Sequence, residues 1–573
     1  MGDVQEQRAT DTMVEQKAPI DNQRFAFLGE LLVEQGVIDR DQLDVAIQEQ
    51  KRRKVVLGKI LIDSGFCTEV DIAQSLADQL GLEFFKIDDT DVDHAAGELL
   101  GDSFLRQKLV VPLITGTDTV RLAVADPFDV KTSTVVETQL GRPIEVVVAT
   151  QSAILSAIDS LMDDTCHIDE MLKGIDGAET NADNILDKIS PEELIDKIAR
   201  EAGRKGATDI HFEPEAHVMR VRYRVDGVLT DGPMINSELA PAVIARIKVM
   251  SDLDLSEHRL PQDGRARIVL DGSPMDWRVS ILPSVLGENV VIRVLDGKTA
   301  MLDPRDLGLS GQNYDWLMDL CKRPHGIILV TGPTGSGKST TLYSLLRTID
   351  GLRKKIITVE DPVEYRIPLV RQVQTHNEIG LTFATALRAI LRQDPDVVLI
   401  GEIRDQETAE IAVRAALTGH LVFSTLHTNS AVGAIPRLID MGVDPFLLKS
   451  SLVGVLAQRL IRQVCRHCST VYQPTQDELR AFGNRKLPQD LALRRANGCK
   501  RCRQTGYDGR SGIHELLVVN DELRNCSFVE DGPDVLTSVA KKNGFLELRL
   551  DGLEKVLAGV TTLEEVARLT GSH

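Results

Sequence analysis

The first strong pattern in the chain is a repeated arrangement of apolar residues near its start. The segments LGELLVEQGVIDRDQLDVAIQEQ, from Leu28, and LGKILIDSGFCTEVDIAQSLADQ, from Leu57, align without a gap. In each copy the apolar spacing predicts two short helices that are separated by a glycine, Gly36 or Gly65. Because two copies are too few for a solenoid, we predict that they pair into one small helical domain.

Beyond the repeat, the period of the apolar residues changes several times. Short β-rich runs such as VRLAVADP and IEVVVAT alternate with helical stretches up to about residue 160, which predicts an α/β subdomain. An amphipathic segment, PEELIDKIAREAGRKG, and strands such as HVMRVRYRVDG predict a second α/β domain. From residue 313 onward, strands, loops and helices alternate as in a parallel α/β sheet.

These patterns divide the chain into predicted domains and connecting segments. The polar start and the acid-rich stretch after the first α/β region are typical of flexible segments. The predicted boundaries are 1–24 for a disordered tail, 25–162 for an N-terminal docking domain, 163–190 for an acidic linker, 191–300 for the second α/β domain, 301–312 for a hinge, and 313–573 for the C-terminal domain, with an insert at 463–505.

Composition narrows the function classes. The chain has 573 residues, enough for about four domains, and 42% of them are hydrophobic. Its net charge of -20 disfavours a general nucleic-acid binder, because an acidic surface repels phosphate backbones. No apolar run approaches the roughly 20 residues that span a bilayer, and the N-terminus lacks an apolar signal region. We therefore expect a cytoplasmic protein that contacts membranes through partners.

The strongest local motif is GPTGSGKST, which follows the apolar run GIILVT and precedes a helical stretch. Its glycines allow backbone N–H groups to wrap phosphates at a helix N-terminus, so the motif predicts a P-loop for ATP. We expect Lys338 to reach the β- and γ-phosphates and Ser339 to bind Mg²⁺. The predicted nucleotide-binding residues are Gly332, Pro333, Thr334, Gly335, Ser336, Gly337, Lys338, Ser339 and Thr340.

Two further apolar runs end in carboxylates. In DVVLIGEIRD the run ends at Glu402, which we interpret as the Walker B acid that supports Mg²⁺. In ITVEDPVEY, Glu360 lies at the end of the predicted strand and Glu364 follows one short turn later. Hydrolysis needs a group that orients and deprotonates water, and the sequence does not choose between these two.

A fourth segment, TGHLVFSTLHTN, brings two histidines, His420 and His427, to another predicted strand. A single histidine is more often structural than catalytic, so the residues alone do not assign a role to either. We take His420 as the candidate catalytic histidine.

Four of the eight cysteines form two CxxC pairs. Four thiolates arranged in this way suit a tetrahedral zinc ion with no open position, which predicts a structural zinc site. A redox disulfide pair is the alternative interpretation. The predicted zinc ligands are Cys465, Cys468, Cys499 and Cys502.

Taken together and in this order, the four motifs resemble those of the GspE/PilB family of secretion ATPases, which drive type II secretion and type IV pilus assembly. The resemblance covers about residues 190–573 and implies a RecA-like C-terminal ATPase domain preceded by a smaller α/β domain. The segment RLIDMGVDPFLLKSSLVGVLAQRLIRQVC is more similar to the type II member than to the pilus member.

The resemblance also implies functional residues and partners. Arg278 and Arg293 match the nucleotide-contacting arginines of the family, and Arg388, Arg392, Arg404 and Arg437 are weaker candidates. Family members form homohexamers, so the resemblance implies a homohexamer. It also implies two partners, an inner-membrane platform protein and the cytoplasmic domain of a membrane-anchored component. The function implied is an ATP-driven motor for assembly of the type II pseudopilus. Type IV pilus extension and a slow nucleotide-dependent switch are the alternatives, and a DNA-processing ATPase is disfavoured.

The N-terminal repeat resembles a family module that binds cyclic di-GMP in some members. Those members carry an arginine immediately before the Leu-Gly of each copy. This chain has Phe27 and Val56 at those positions. We therefore predict a docking domain that does not bind cyclic di-GMP.

Overall fold

The computed structural model describes residues 21–53, 55–87, 91–114, 119–161, 190–270, 273–295, 302–483, 485, 487–488, 491–499 and 502–571. The chain divides into two compact units, residues 1–164 and 165–573. The predicted acidic linker lies almost entirely outside the described residues. The predicted tail, 1–24, overlaps the first helix, which begins at Asp21.

The first unit begins with the two copies of the repeat, each of which forms two helices. Gly36 and Gly65 adopt positive φ angles of 70° and 71° between the helices of a copy, a conformation that glycine tolerates without strain. Leu32 of the first copy and Ile60 and Leu61 of the second are fully buried. The helices are α1 (Asp21–Glu34), α2 (Arg40–Arg53), α3 (Leu57–Asp63) and α4 (Glu69–Leu80).

A small α/β layer completes this unit. Its three-stranded sheet has the order β1-β2-β3, with β1 and β2 antiparallel and β2 and β3 parallel. The elements are α5 (His94–Leu100), α6 (Asp102–Lys108), β1 (Val110–Leu113), β2 (Val120–Val124), α7 (Val130–Leu140), β3 (Ile144–Val148) and α8 (Gln151–Leu161).

The second unit begins with an antiparallel sheet of order β6-β5-β4-β9-β8-β7 and two helices. Alternating residues of the strands, among them Tyr223 and Trp277, pack with the apolar side of the first helix in one core. The elements are α9 (Pro191–Arg204), β4 (Ala207–Pro214), β5 (Val218–Val225), β6 (Val228–Asn236), α10 (Ala240–Met250), β7 (Gln262–Leu270), β8 (Ser273–Ser284) and β9 (Gly287–Leu295).

The rest of this unit is built on a seven-stranded sheet of order β12-β11-β13-β14-β10-β15-β18. Six strands are parallel, and β18 is antiparallel to β15. The strands are β10 (Gly326–Thr331), β11 (Ile356–Glu360), β12 (Val370–Gln374), β13 (Val397–Ile400), β14 (Leu421–Leu426), β15 (Leu452–Val464) and β18 (Tyr507–Val518); the short pair β16 (Thr470–Tyr472) and β17 (Leu493–Arg495) lies in the predicted insert.

Helices connect and cover these strands, so β10, β11, β13 and β14 are buried on both faces. The helices are α11 (Gly311–Cys321), α12 (Lys338–Arg347), α13 (Phe383–Ile390), α14 (Gln406–Leu417), α15 (Ala434–Asp440), α16 (Pro445–Ser451), α17 (Gln476–Arg480), α18 (Asp521–Asn525), α19 (Pro533–Lys542), α20 (Leu548–Leu557) and α21 (Leu563–Thr570). Within the described ranges, no helix has the length and apolar character needed to cross a membrane.

Candidate active site

The carboxyl ends of four neighbouring parallel strands meet at one edge of the large sheet. The P-loop follows β10, the two candidate water-activating acids lie at and just after the end of β11, Glu402 follows β13, and His427 follows β14. In parallel α/β sheets this edge is where ligands bind. The structure therefore brings most of the predicted chemistry to one place, although the motifs are far apart in the sequence.

The P-loop has the backbone geometry of a phosphate cradle. Gly335 and Gly337 adopt positive φ angles of 77° and 85°, and α12 begins at Lys338. The hydroxyl of Ser336 is buried and has no hydrogen-bond partner. A buried hydroxyl without a partner is costly, and a phosphate oxygen in the loop would satisfy it. The loop thus fits the nucleotide that its sequence predicts.

Lys338 is held over this loop by neutral oxygens. Its Nζ donates to the carbonyl oxygens of Gly332, at 2.9 Å, and Pro333, at 3.1 Å. Burial lowers the pKa of this ammonium group, while the nearby charge of Glu402 raises it. The described part of the chain gives it no carboxylate ion pair, so the ammonium group is available for an anion.

Glu402 is the acid that the sequence predicts to support Mg²⁺. Its side chain is only 14% exposed, and its carboxylate pairs with Arg404 at 2.5 Å and lies 3.5 Å from Nε2 of His427. Ser339 lies on the first turn of α12 and is exposed. A hydroxyl and a carboxylate are suitable oxygen ligands for Mg²⁺, so these residues fit the predicted ion.

The two candidate water-activating acids have different environments. The carboxylate of Glu360 is buried and accepts hydrogen bonds from the hydroxyls of Tyr343 and Thr358 and from the amide of Gln372. Burial also raises its pKa. In Glu364, by contrast, the buried Oε2 has no hydrogen-bond partner. A group that must accept a proton from water needs a free oxygen, so the geometry favours Glu364.

The structure separates the two histidines. His420 precedes β14, and its Nδ1 lies 2.8 Å from the carbonyl oxygen of Ala415. Gly326 at the start of β10 donates to the carbonyl of His420, so this histidine lies at the amino edge of the sheet, roughly 20 Å of strand away from the P-loop. The structure therefore places His427, and not the predicted His420, at the sheet edge that carries the P-loop and Glu402.

The predicted arginines lie in the antiparallel sheet as part of a cross-strand row. Arg278 of β8 pairs in register with Arg293 of β9 and with Arg265 of β7. Arg293 forms an ion pair with Asp209 at 3.0 Å, and Arg278 is exposed. No hydrogen bond joins Arg278 or Arg293 to the P-loop among the described residues. Their role at the nucleotide stays a prediction.

Arg265 is the member of this row that touches the large sheet. Its Nη2 donates to Oε1 of Gln374 at 3.2 Å, and Gln374 is the register partner of Glu360. The contact brings one end of the arginine row to the edge that carries the other motifs. The sequence offered no signal for this, because the partner is 109 residues away.

The four cysteines form a compact cluster. All of their Sγ atoms lie within 4.8 Å of one another. Four sulfurs at the usual 2.3 Å from a tetrahedral zinc would be about 3.8 Å apart. The Sγ–Sγ distances are 3.9 Å for Cys465–Cys499, 3.7 Å for Cys468–Cys502 and 3.6 Å for Cys499–Cys502. The cluster therefore fits a structural zinc ion.

A family model for type II/IV secretion system proteins matches residues 185–568 of this chain. The chain belongs to that family. It is accordingly a P-loop ATPase, and the sequence-based assignment to the GspE/PilB secretion ATPases is confirmed. A second model, the MshEN domain, matches residues 80–165.

Individual relatives of this secretion ATPase come from both branches of the family. The type IV pilus assembly ATPase PilB of Myxococcus xanthus is 40% identical over 566 residues, which is 94% of this chain and 98% of the relative. The type II secretion system ATPase E of Vibrio cholerae is 50% identical over 377 residues, which is 66% of this chain and 75% of the relative.

Among solved structures, the ATPase DotB of Legionella pneumophila superposes with a TM-score of 0.50 at 20% sequence identity. The match covers 67% of this chain and 96% of DotB. At that identity the likeness supports the fold: a multidomain α/β architecture with a parallel-sheet ATPase domain, as predicted.

Sequence reasoning about the secretion ATPase missed one residue that braces the P-loop. Gln458 of β15 is 1% exposed; its amide donates to the carbonyl of Ser336 at 2.7 Å, and its Oε1 accepts from Thr341 at 2.7 Å. A Cβ on Gly337 would lie 2.8 Å from its Nε2. The available signal was a glutamine inside the apolar run SLVGVLAQRL.

Replacing Cys465 and Cys468 together by serine should remove one zinc ion per chain. Hydroxyls are far weaker zinc ligands than thiolates, and the backbone N–H of Gly498 would lose the sulfur of Cys468 as its acceptor. Metal analysis of reduced protein should give about one zinc in the wild type and in the matched control Cys526→Ser. Equal zinc content in the double variant would contradict the site.

Proposed function

We propose that this protein is a homohexameric motor that hydrolyses ATP to power assembly of the type II secretion pseudopilus, and thereby protein export across the outer membrane. The observation that carries the proposal is the convergence of the P-loop, Glu364, Glu402 and His427 at one sheet edge in a chain that belongs to the secretion ATPase family. The motor acts at the cytoplasmic face of the inner membrane, through a platform protein and the cytoplasmic domain of a membrane-anchored component.

In this proposal each residue of the edge has a separate task. The loop amides and Lys338 bind the β- and γ-phosphates, and Ser339 and Glu402 hold Mg²⁺. The metal, when bound, neutralises the charge of the transferred phosphoryl group. Glu364 orients the attacking water with its free oxygen. His427, 3.5 Å from Glu402, keeps that carboxylate in position.

The choice of pathway is supported by the 50% identity, over 377 residues, to the type II secretion system ATPase E of Vibrio cholerae. Type IV pilus extension is the second candidate, because the PilB of Myxococcus xanthus matches nearly the whole chain, including the N-terminal unit. Deletion of the gene in its host tests the choice. Loss of secreted exoproteins with intact pili supports type II secretion, whereas loss of pili with normal secretion supports pilus extension.

A ring arrangement makes a specific prediction for Arg278 and Arg293. Since Arg265 of the same row contacts Gln374 within one chain, we expect the row to complete the nucleotide site of its own subunit. Rings mixed from Lys338→Ala and Arg293→Ala subunits should then recover no ATPase activity, because neither subunit type has a complete site. Recovered activity in mixed rings would show that the arginine acts across the subunit boundary.

The N-terminal unit is proposed as a docking domain that does not bind cyclic di-GMP. Val56 is half-exposed, and its aliphatic side chain offers no guanidinium group to the ligand. Calorimetry on the full chain should detect no binding in the micromolar range. The double variant Phe27→Arg, Val56→Arg tests whether the missing arginines are the reason. A micromolar dissociation constant for the unmodified chain would contradict the prediction.

A further inference from the structure

A second cation, Arg459, lies beside the P-loop and was not among the predicted site residues. It belongs to β15, the parallel neighbour of β10, where Ala457 is the register partner of Thr331. The next residues therefore run alongside the start of the loop. A Cβ placed on Gly332 would lie 3.2 Å from Nη1 of Arg459.

The guanidinium group of Arg459 contacts neutral oxygens. Nη1 donates to the carbonyl oxygen of Gln458 at 2.9 Å. Nη2 donates to the carbonyl oxygen of Asn429 at 3.0 Å and to its Oδ1 at 3.3 Å. Within the described ranges it has no carboxylate ion pair. Burial lowers its pKa, and the more distant Glu515 opposes that effect.

The same strand shows how an arginine with a structural role is neutralised. Arg462, three residues further on, pairs with the fully buried carboxylate of Glu565 at 2.8 Å. Glu515 is the acid whose charge acts on Arg459, but it forms no ion pair with it among the described residues. The two carboxylate oxygens of Glu515 accept hydrogen bonds from the backbone N–H groups of Ala431 and Leu548. Among the residues that the structure describes, Arg459 is thus a half-buried charge with no carboxylate in ion-pair contact.

Lys338 shares this condition. Its hydrogen bonds also go to neutral carbonyl oxygens, and the charge of Arg459 lowers its pKa, so the two cations are close enough to repel each other. Two like charges held at one phosphate loop are stabilised when an anion lies between them. The chemistry that fits is the terminal phosphate of a nucleoside triphosphate.

We propose that Arg459 is a further phosphate-contacting residue, which together with Lys338 binds the terminal phosphate of ATP and links its presence to the loop that carries His427. The inference rests on the proposed ATPase function. Two contacts connect Arg459 with the P-loop and with the loop that carries His427. Gln458 ties β15 to the P-loop, and Asn429, which accepts from Arg459, follows His427 by two residues.

The residue should then distinguish ATP from ADP, because only ATP offers the terminal phosphate. In the full chain, Arg459→Ala should lower kcat at least about tenfold. It should also reduce the preference for a non-hydrolysable ATP analogue over ADP at least about fivefold, with ADP affinity nearly unchanged. Arg459→Lys keeps the charge and should recover part of both losses. The matched control is Arg414→Ala, an exposed arginine on α14 that pairs with Glu410.

Turnover, the two dissociation constants and the thermal unfolding midpoint are measured on each variant. Unchanged kcat and an unchanged affinity ratio in Arg459→Ala would overturn the inference. An equal loss of ATP-analogue and ADP affinity, with a lower unfolding midpoint and no rescue by lysine, would also overturn it. That result would assign Arg459 a purely structural role. If Lys338→Ala also hydrolyses ATP normally, the proposed function fails; if only Arg459→Ala is normal, this inference alone fails.

Discussion

Replacing Lys338 by alanine is expected to lower the ATP turnover of the full chain by at least about a thousandfold while the fold remains intact. The hydrogen bonds of the ammonium group go to the carbonyl oxygens of Gly332 and Pro333 in the loop itself, so we expect its removal to leave the fold intact. What is lost is a positive charge at the position where the β- and γ-phosphates bind. Phosphate release, with circular dichroism to check the fold, measures the effect.

The matched control is Lys322→Ala. That lysine directly follows α11, is 77% exposed and pairs with Asp319. Its replacement should leave turnover within twofold of the wild type, since exposed ion pairs contribute little. Normal hydrolysis by Lys338→Ala would contradict the assignment of the P-loop.

The second large effect is expected at Glu364. Glu364→Gln removes the proton acceptor but keeps the shape of the side chain, so kcat should fall at least about a hundredfold while nucleotide affinity persists. The reason is that Oε2 of Glu364 has no hydrogen-bond partner among the described residues, whereas both oxygens of Glu360 accept hydrogen bonds. Single-turnover phosphate release and equilibrium nucleotide binding separate the two effects.

Glu360→Gln is the informative comparison, because the sequence left both acids open. The carboxylate of Glu360 already accepts from Tyr343, Thr358 and Gln372. An amide there would disturb those hydrogen bonds, so the free energy of unfolding should fall by about 1–3 kcal/mol and kcat by less than tenfold. The reverse pattern, a greater loss of kcat in Glu360→Gln than in Glu364→Gln, would assign the water-activating role to Glu360.

Features encoded by short segments could be predicted from the sequence. The P-loop was recognisable because its glycines, Lys338 and the following helix are contiguous, and the loop geometry depends on φ angles that glycine alone adopts easily. The four-cysteine cluster was recognisable because each CxxC pair positions two sulfurs through local backbone geometry. The first prediction needed one short segment of the chain, and the second needed two.

Other features depend on which strands become neighbours, and the sequence did not reveal that. The histidines are not among these features. His420 precedes and His427 follows the same strand, and because β14 runs parallel to β10 only His427 lies at the P-loop edge, which the predicted parallel sheet already indicated. Gln458 and Arg459 reach the loop because β15 pairs with β10, more than 100 residues earlier. Long-range pairing of this kind is a property of the folded sheet rather than of a local pattern.

The measurement that tests the central claim most directly is the rate of phosphate release by the purified full chain with Mg²⁺ and ATP, resolved by oligomeric state. The account predicts saturable, Mg²⁺-dependent hydrolysis in the hexameric fraction that disappears in Lys338→Ala. Absence of hydrolysis from a correctly folded, zinc-loaded hexamer in the presence of its membrane-partner domain, or equal hydrolysis by Lys338→Ala, would contradict it.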